Sequence, residues 1–364
     1  MQTRQDVALE ALGIAIATGI PVLLWGAPGT GKSSAVRALA DAMGWPCKTV
    51  IASIREPSDF AGLPVVSASG VDFAPPSWAR ELAAADRGIL FLDEISTAPP
   101  AVQAALLRVV LERFVGDLAL PPGIAVVAAA NPPDQTLDGW DLSAPLANRF
   151  CHIDWTAEAA RFGAGLTAGW PAPEIPVLTS GVTGQRIAAR GLVAAFTGIR
   201  PALLTSMPRE PAAVGRSWPS PRTWEMAARL YAACDEVRAP ETVKAALITG
   251  AVGTGAAVEF LTWASEMDLG DPEEALRDPA SVDLTDERGD RAYAIMAAIA
   301  AAVAANPTVE RWTAGMEILI RAGGHAPDIA AVAARVLAKC RPDGAATPQG
   351  AERFIPLMRD VGWL

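Results

Sequence analysis

The chain has 364 residues, half of them apolar, and a formal net charge of −10. That length suits two domains or one large domain with an appendage, and the acidic balance argues against a generic nucleic-acid binder, whose surface is basic. Four well-separated cysteines (Cys47, Cys151, Cys234, Cys340), with no C-x-x-C pair, and two histidines (His152, His325) argue against a zinc site or a disulfide framework. They read instead as four buried thiols in a reducing cytoplasm.

The N-terminal MQTRQDVALEALGIAIATG places Asp6 and Glu10 where a secretory signal would be apolar, and predicts an amphipathic helix. Five near-continuous apolar runs follow: IPVLLW (20–25), CKTVIA (47–52), GILFL (88–92), IAVVAAA (124–130) and FCHI (150–153). Such runs predict parallel strands covered on both faces. Helical patterns separate them, KSSAVRALADAMG and APPAVQAALLRVVLER, the latter with two prolines in its first turn and Val102, Leu106, Val109 and Val110 on one face. This alternation means an α/β parallel sheet. Two further segments read as hairpins, LPVVSASGVDFAPPSW (63–78) and the shorter RFVGDLALPPG (113–123) around Gly116-Asp117. Beyond residue 155 the strand pattern fades into a Pro- and Gly-rich connection. Helical segments are then expected around 183–199, 221–237, 241–267, 288–305, 308–322 and 326–340, with an acidic loop and a proline stop after residue 267. In SPRTWEMAARLYAA, Ser220 can cap, Pro221 takes the first helical position, and Trp224, Ala227, Ala228 and Tyr231 form a stripe. AYAIMAAIAAAVAA (292–305) is too short to span a bilayer and reads as a buried helix. The expected organisation is an α/β domain over 1–155 followed by an all-helical region over 156–364, in a soluble cytoplasmic protein without a membrane partner.

The chemistry concentrates in two places. GAPGTGKS, residues 26–33, follows a predicted strand, opens a predicted helix, and fits G-x-x-x-x-G-K-[ST] through Gly26, Gly31, Lys32 and Ser33. A phosphate chain needs backbone N–H groups pointed inward, which the glycines permit. The helix N-terminus adds its positive end, the lysine reaches the β- and γ-phosphates, and Ser33 offers a hydroxyl to Mg²⁺. With only four lysines in the chain, its own residue frequencies yield the pattern by chance in roughly three such sequences per thousand. Gly26, Pro28, Gly29, Thr30, Gly31, Lys32, Ser33, Ser34 and Asp93 are therefore the expected nucleotide-binding residues. In RGILFLDEIS, four apolar residues deliver Asp93 and Glu94 to the carboxyl end of a strand, where open α/β sheets bind ligands. Asp93, with Ser33, is expected to hold Mg²⁺, and Glu94 to polarise the attacking water.

With these pieces the sequence resembles the AAA+ ATPases, and within them the MoxR-like group. The resemblance rests on GAPGTGKS, ILFLDEISTAPPAVQAALLRVVLER, VVAAANP and PLANRF, and reaches the helical region only through SPRTWEMAARL. It implies a P-loop AAA+ parallel sheet flanked by helices, then an all-helical lid and C-terminal region. It also implies that Asn131 positions the lytic water, that Arg149 is the finger inserted into a neighbour's site, and that Arg222 is the second sensor contacting the γ-phosphate. Both hairpins would project toward a central pore or partner. Ser96-Thr97-Ala98-Pro99-Pro100 stands where MoxR-like proteins tend to carry an asparagine and an arginine, and residues 240–364 match nothing assignable.

The function that follows is Mg²⁺-dependent ATP hydrolysis in a homo-oligomeric ring, expected to be a hexamer. The hydrolysis would remodel or activate a protein client in a chaperone-like way, with a von Willebrand factor A-like protein as a candidate partner. The alternative is an AAA+ nucleic-acid translocase or restriction-type motor subunit. The acidic balance and the lack of any Lys/Arg-rich stretch count against it. A monomeric P-loop kinase is disfavoured because no acceptor pocket is recognisable.

Overall fold

A computed structural model of the chain describes residues 3–67, 70–132, 140–171, 173–179, 184–267, 271–283, 289–325 and 327–354. In chain order α1 (Arg4–Ala17) leads into β1 (Val22–Trp25), and the glycine-rich loop into α2 (Lys32–Met43). Next come β2 (Cys47–Ile51), α3 (Ser58–Ala61), a hairpin of β3 (Leu63–Ser67) and β4 (Gly70–Ala74), α4 (Ser77–Ala83) and β5 (Gly88–Asp93). Then follow α5 (Pro100–Glu112), a short hairpin of β6 (Phe114–Val115) and β7 (Leu118–Ala119), β8 (Ile124–Ala130), α6 (Ala144–Ala147) and β9 (Cys151–Asp154). The rest is helical: α7 (Ala159–Ala168), α8 (Gly184–Ile199), α9 (Pro211–Val214), α10 (Pro221–Val237), α11 (Glu241–Val252), α12 (Thr254–Ser265), α13 (Pro272–Arg277), α14 (Gly289–Ala305), α15 (Val309–His325) and α16 (Pro327–Lys339).

Contacts divide the chain into two compact units. One comprises Met1–Leu178, Thr205–Leu230 and Val237–Ala257, the other Thr179–Leu204, Tyr231–Glu236 and Val258–Leu364. The first holds a five-stranded parallel sheet in the order β2-β5-β8-β1-β9. All four residues of β1 and all seven of β8 are buried, as continuous apolar runs covered on both faces must be. The stripe Val102, Leu106, Val109 and Val110 of α5 is buried in the same core as Leu90, Leu92 and Val126. Parallel strands deliver their carboxyl ends to one edge of the sheet. That edge carries the glycine-rich loop after β1, the acid pair closing β5 and Asn131 after β8.

Both predicted hairpins form, with residues 68–69 of the first outside the described set. They are stapled at their bases: the Phe73 amide donates to Asp117 Oδ2 at 2.6 Å, and the Asp117 amide to the Phe73 carbonyl at 3.1 Å. Gly62 (φ +85°) and Gly116 (φ +58°) meet there, and a Cβ on Gly116 would stand 2.4 Å from the Phe73 carbonyl oxygen. Every residue of β3 and the first four of β4 are exposed, including Leu63, Val65, Val66, Val71 and Phe73.

Several local expectations need correction. The N-terminal helix is not amphipathic along its length: Ala11 through Ile16 are buried in succession, because α1 packs against β1, β9 and α11 together. The single helix expected over 241–267 breaks at Gly253, whose φ of +82° ends α11 before α12 begins. The expected acidic loop contains α13, nucleated by Asp271, whose side chain accepts from the Glu273 amide at 2.9 Å, and by Pro272 at the first helical position. Helix α7 lies in the presumed connection; of its residues only Gly165 is buried, and its apolar pair Phe162 and Leu166 is exposed. Two thiols are buried (Cys151, Cys234) and two are half-buried (Cys47, Cys340); none of the four is in a disulfide.

The second unit is helical. Its core gathers Ile295, Met296, Ile299 and Val303 of α14 with Trp312, Ile318 and Leu319 of α15 and Leu337 of α16. Trp312 donates its indole N–H to the Leu337 carbonyl at 2.8 Å. Arg311 clasps Glu273 through both carboxylate oxygens and donates to the Ala302 carbonyl at 2.8 Å, tying α13 to α14 and α15. No helix among the described residues is long and apolar enough to cross a membrane.

A substitution in α11 tests how closely it lies on β9. Gly250 is buried, and a Cβ there would sit 2.1 Å from the His152 carbonyl oxygen and 2.9 Å from Cys151 Sγ. Ala normally stabilises a helix interior by about 1 kcal/mol over Gly. Here Gly250→Ala is expected to cost about 1–3 kcal/mol by overpacking, read as a lower denaturant midpoint. A midpoint at or above wild type would place α11 further from β9.

Candidate functional site

Three glycines shape the loop after β1 for two different reasons. Gly29 (φ +75°) and Gly31 (φ +89°) adopt left-handed backbone that side chains rarely tolerate. Gly26 does not; it is small because β9 passes against it, and a Cβ would lie 2.3 Å from the Trp155 carbonyl oxygen. Trp155 also donates its indole N–H to the Thr30 carbonyl at 3.0 Å, and Thr30 Oγ1 donates to the Ala27 carbonyl at 2.7 Å. The loop is thus pinned from one side and from within. Gly31 forms the N-cap of α2 without a side-chain cap, so the first amides of that helix are left to an external acceptor, with the positive end of its dipole behind them.

Lys32 is buried and spends all three ammonium donors on neutral oxygens: the carbonyls of Gly26 (2.6 Å) and Ala27 (3.0 Å) and Oδ1 of Asn131 (3.0 Å). Burial pushes its pKa below the usual lysine value, against the opposing pull of the Asp93 charge. Ser33 Oγ donates to Asp93 Oδ2 at 2.8 Å, and the Glu94 amide to Asp93 Oδ1 at 3.0 Å. Glu94 itself is exposed and held at φ +55°, a conformation that costs a non-glycine residue about 1 kcal/mol or more. Its Oε2 accepts from Ser53 Oγ at 2.5 Å. Pro28, Gly29, Thr30, Gly31, Lys32, Ser33, Ser34, Asp93, Glu94 and Asn131 line one cavity of about 300 Å³.

A hydroxyl beside a carboxylate is a hard-oxygen pair of the kind that suits Mg²⁺, which keeps waters and takes further ligands from phosphate. Among the described residues no group of three or more His, Cys, Asp or Glu could hold a metal alone.

Beside the loop lies a larger cavity of about 900 Å³, whose walls include Val7 and Ala8 of α1, Trp25, Thr30 and Ala246 of α11. Arg216 stacks its guanidinium over the Trp25 ring at 4.3 Å and pairs with Asp154 at 3.0 Å.

The remaining two expected residues lie elsewhere. Arg149 and Arg222 line neither cavity. Arg149 sits just before β9, whose first residue is in register with Val22 at the start of β1, away from the strand's carboxyl end. It is half-buried and donates to the Pro145 carbonyl, while its Nε is buried without a partner. Arg222 reaches Asn148 Oδ1 at 3.5 Å, an oxygen also bonded by Ser220 Oγ at 2.8 Å. Burial first, then the Arg222 charge, lowers the Arg149 pKa, and the Glu112 carboxylate opposes both.

Ser53, Trp25, Trp155, Arg216 and His152 were not among the expected residues. Ser53 touches Glu94 only because β2 and β5 are neighbours in the sheet, an order that strand patterns do not encode. Trp25, by contrast, was signalled by its place directly ahead of the glycine-rich loop.

The AAA domain (dynein-related subfamily) matches residues 21–150. Residues 21–150 are an AAA domain. Over 123 residues the chain is 34% identical to the pathogenicity locus probable regulatory protein HrpS of Pseudomonas syringae pv. syringae, a stretch covering 31% of this chain and 39% of that protein. The chain thus spans about two-fifths of its curated relative. Among solved structures, an ATPase candidate from Cytophaga hutchinsonii matches with a TM-score of 0.46 and 18% identity, over 71% of this chain and 89% of that one. A full-length MCM homolog from Methanopyrus kandleri matches with a TM-score of 0.40 and 20% identity, over 72% and 55%. Both likenesses are too loose to bear on function.

His152 of β9 is buried, and its pKa is lowered to about 4, mainly by desolvation. A histidine depressed when folded stays neutral while its unfolded counterpart protonates. Its contribution to stability is therefore complete above pH 6.5 and is lost as pH falls from 6.5 toward 4. The shift corresponds to about 3 kcal/mol. Wild type is expected to lose that much more stability across this window than His152→Gln, measured by urea unfolding at stepped pH; parallel curves would place His152 in water.

Proposed function

We propose that the chain is a MoxR-like AAA+ ATPase that hydrolyses ATP with Mg²⁺ in a homo-oligomeric ring, hexameric by the family resemblance, and thereby remodels or activates a protein partner in the cytoplasm. The observation that carries this reading is the convergence of Lys32, Ser33, Asp93, Glu94 and Asn131 on one cavity at the carboxyl edge of the sheet. In this reading residues 1–155 are the nucleotide-binding domain, and a helical lid with its extension occupies 156–364.

The roles follow from the contacts. The amides of Gly29, Thr30, Gly31, Lys32, Ser33 and Ser34 receive the phosphates between Gly26 and Pro28 on one side and α2 on the other. Lys32 exchanges neutral carbonyls for phosphate oxygens, a stronger charge-assisted bond. Ser33 and Asp93 would hold Mg²⁺, which would supply positive charge to offset that of the phosphates. Glu94 accepts the proton of the attacking water, Asn131 orients that water, and the base enters the larger cavity beside Trp25. Ser53, bonded to Glu94, restrains the carboxylate until substrate competes for it.

Arg149 and Arg222 are assigned to the neighbouring subunit's site. Arg149 feels the Arg222 charge as well as the Glu112 carboxylate, its buried Nε has no partner, and neither arginine lines the phosphate-loop cavity of its own chain, which supports a role for both toward an anion outside the chain. The γ-phosphate of a neighbour's nucleotide is such an anion. A protein client is favoured because the hairpin of β3 and β4 exposes Leu63, Val65, Val66, Val71 and Phe73, and no basic residue occurs in 63–78. A von Willebrand factor A-like protein remains the candidate partner from the resemblance. A phosphate-tracking motor would instead need several Lys or Arg contacts.

Three measurements check this. Glu94→Gln should bind ATP yet turn over about 10²–10⁴-fold more slowly, the worth of a positioned general base; wild-type turnover would remove Glu94 from that role. Arg149→Ala and Lys32→Ala should each be nearly inert, since arginine fingers contribute about 10³–10⁵ in rate, while their mixture regains activity at mixed interfaces. No recovery would mean that each chain works alone. Single- and double-stranded DNA and RNA at low salt should leave the ATPase unchanged; several-fold stimulation would replace the protein client with nucleic acid.

A further inference from the structure

His152 connects the two ends of the site. Its side chain lies on the same sheet face as that of Trp25, because His152 is in register with Leu23 and Trp25 lies two residues on. Trp25 donates its indole N–H to His152 Nδ1 at 2.8 Å, and the rings lie nearly parallel, 15° apart. On its far side His152 Nε2 stands 2.9 Å from the carbonyl of Ala147. The indole can only donate and a carbonyl can only accept, so the imidazole must be neutral with its proton on Nε2. Trp25 ends β1 and immediately precedes the glycine-rich loop; Ala147 ends α6, two residues before Arg149.

The Ala147 carbonyl also accepts from the Phe150 amide at 3.1 Å, while the Arg149 amide donates to the Leu146 carbonyl at 3.1 Å. The turn that presents Arg149 is therefore fixed to the sheet at Ala147 by a side chain from β9. Arg149 forms no ion pair among those described, and its Nε is unpartnered. Glu112 is felt at Arg149 electrostatically, but the hydrogen bond that holds the guanidinium goes to the Pro145 carbonyl of its own turn.

We propose that His152 is a positioning residue for Arg149: the Nε2–H bond to the Ala147 carbonyl holds the α6 turn at the height from which Arg149 reaches a neighbouring subunit. This rests on the reading of Arg149 as a shared residue. A displacement of about 1 Å is enough to cost a catalytic group about 10²-fold, so a single hydrogen bond at the root of the turn governs the neighbour's rate without touching its nucleotide.

Two amide substitutions separate the two bonds. The amide of His152→Asn reaches the place of Nδ1 and keeps the Trp25 bond. That of His152→Gln reaches the place of Nε2 and keeps the Ala147 bond. Each is placed in the Lys32→Ala chain, which supplies Arg149 but no working site, and mixed with Arg149→Ala chains that supply the site. With His152 intact the mixture hydrolyses ATP. With Asn, kcat is expected to fall by about tenfold or more while KM, set in the other chain, stays; with Gln, kcat is retained within about threefold. Full rescue by the Asn chain, or equal losses with Asn and Gln, overturns the proposal. No rescue even with His152 intact overturns the shared role of Arg149, and this proposal with it.

Discussion

A buried lysine with no carboxylate bonded to it sets the terms for the rest of the site. Lys32 ties the carbonyls of Gly26 and Ala27 to the side chain of Asn131, and so draws the loop after β1 against the end of β8. An ammonium shielded from water is costly unless an anion compensates it. Asp93 is near enough to be felt, but it is bonded to Ser33. The cation's hydrogen bonds therefore all go to neutral oxygens, while the Asp93 charge acts on it from beyond bonding range. Gly26 pressed on Trp155, Gly31 opening α2 and Asp93 closing β5 all serve to keep that charge where a triphosphate can reach it.

What could be read from the sequence follows from what each signal depends on. β1, β5 and β8 were legible within a residue or two because a strand buried on both faces must be apolar throughout. Edge strand β2, mostly half-buried and carrying Lys48, does not meet that condition. The glycine-rich loop was legible because close backbone approach demands glycine at fixed spacing. The break at Gly253 hid inside a long apolar run, since composition cannot tell a helical glycine such as Gly250 from one with φ +82°. The acidic stretch looked like a loop because its helix is stabilised by Asp271 and by Arg311, which lies 38 residues beyond Glu273. Ser53 and His152 act through partners that only the sheet order brings near.

The site is divided between two ends of the sheet. Lysine, acids and asparagine gather at the carboxyl edge, whereas Arg149 and Arg222 cluster near the amino end of β9. A self-contained hydrolase would bring its arginines to its own phosphates. In the proposed reading they serve a neighbouring subunit's site instead, and burial, then the Arg222 charge, lowers the Arg149 pKa. His152 is the physical link between the ends: neutral, enclosed, and bonded on one side to the residue before the loop and on the other to the turn before the arginine. The same residue is therefore asked to be insensitive to pH in the physiological range and intolerant of a misplaced amide.

The central claim is that the cavity around Lys32 receives a triphosphate together with a divalent cation. Calorimetric titration of the chain with a non-hydrolysable ATP analogue, with and without Mg²⁺, tests it most directly. Saturable binding of one nucleotide per chain is expected, tightening when Mg²⁺ is present because Ser33 and Asp93 then exchange each other for the cation. Absence of binding at millimolar analogue, or binding indifferent to Mg²⁺, would contradict it.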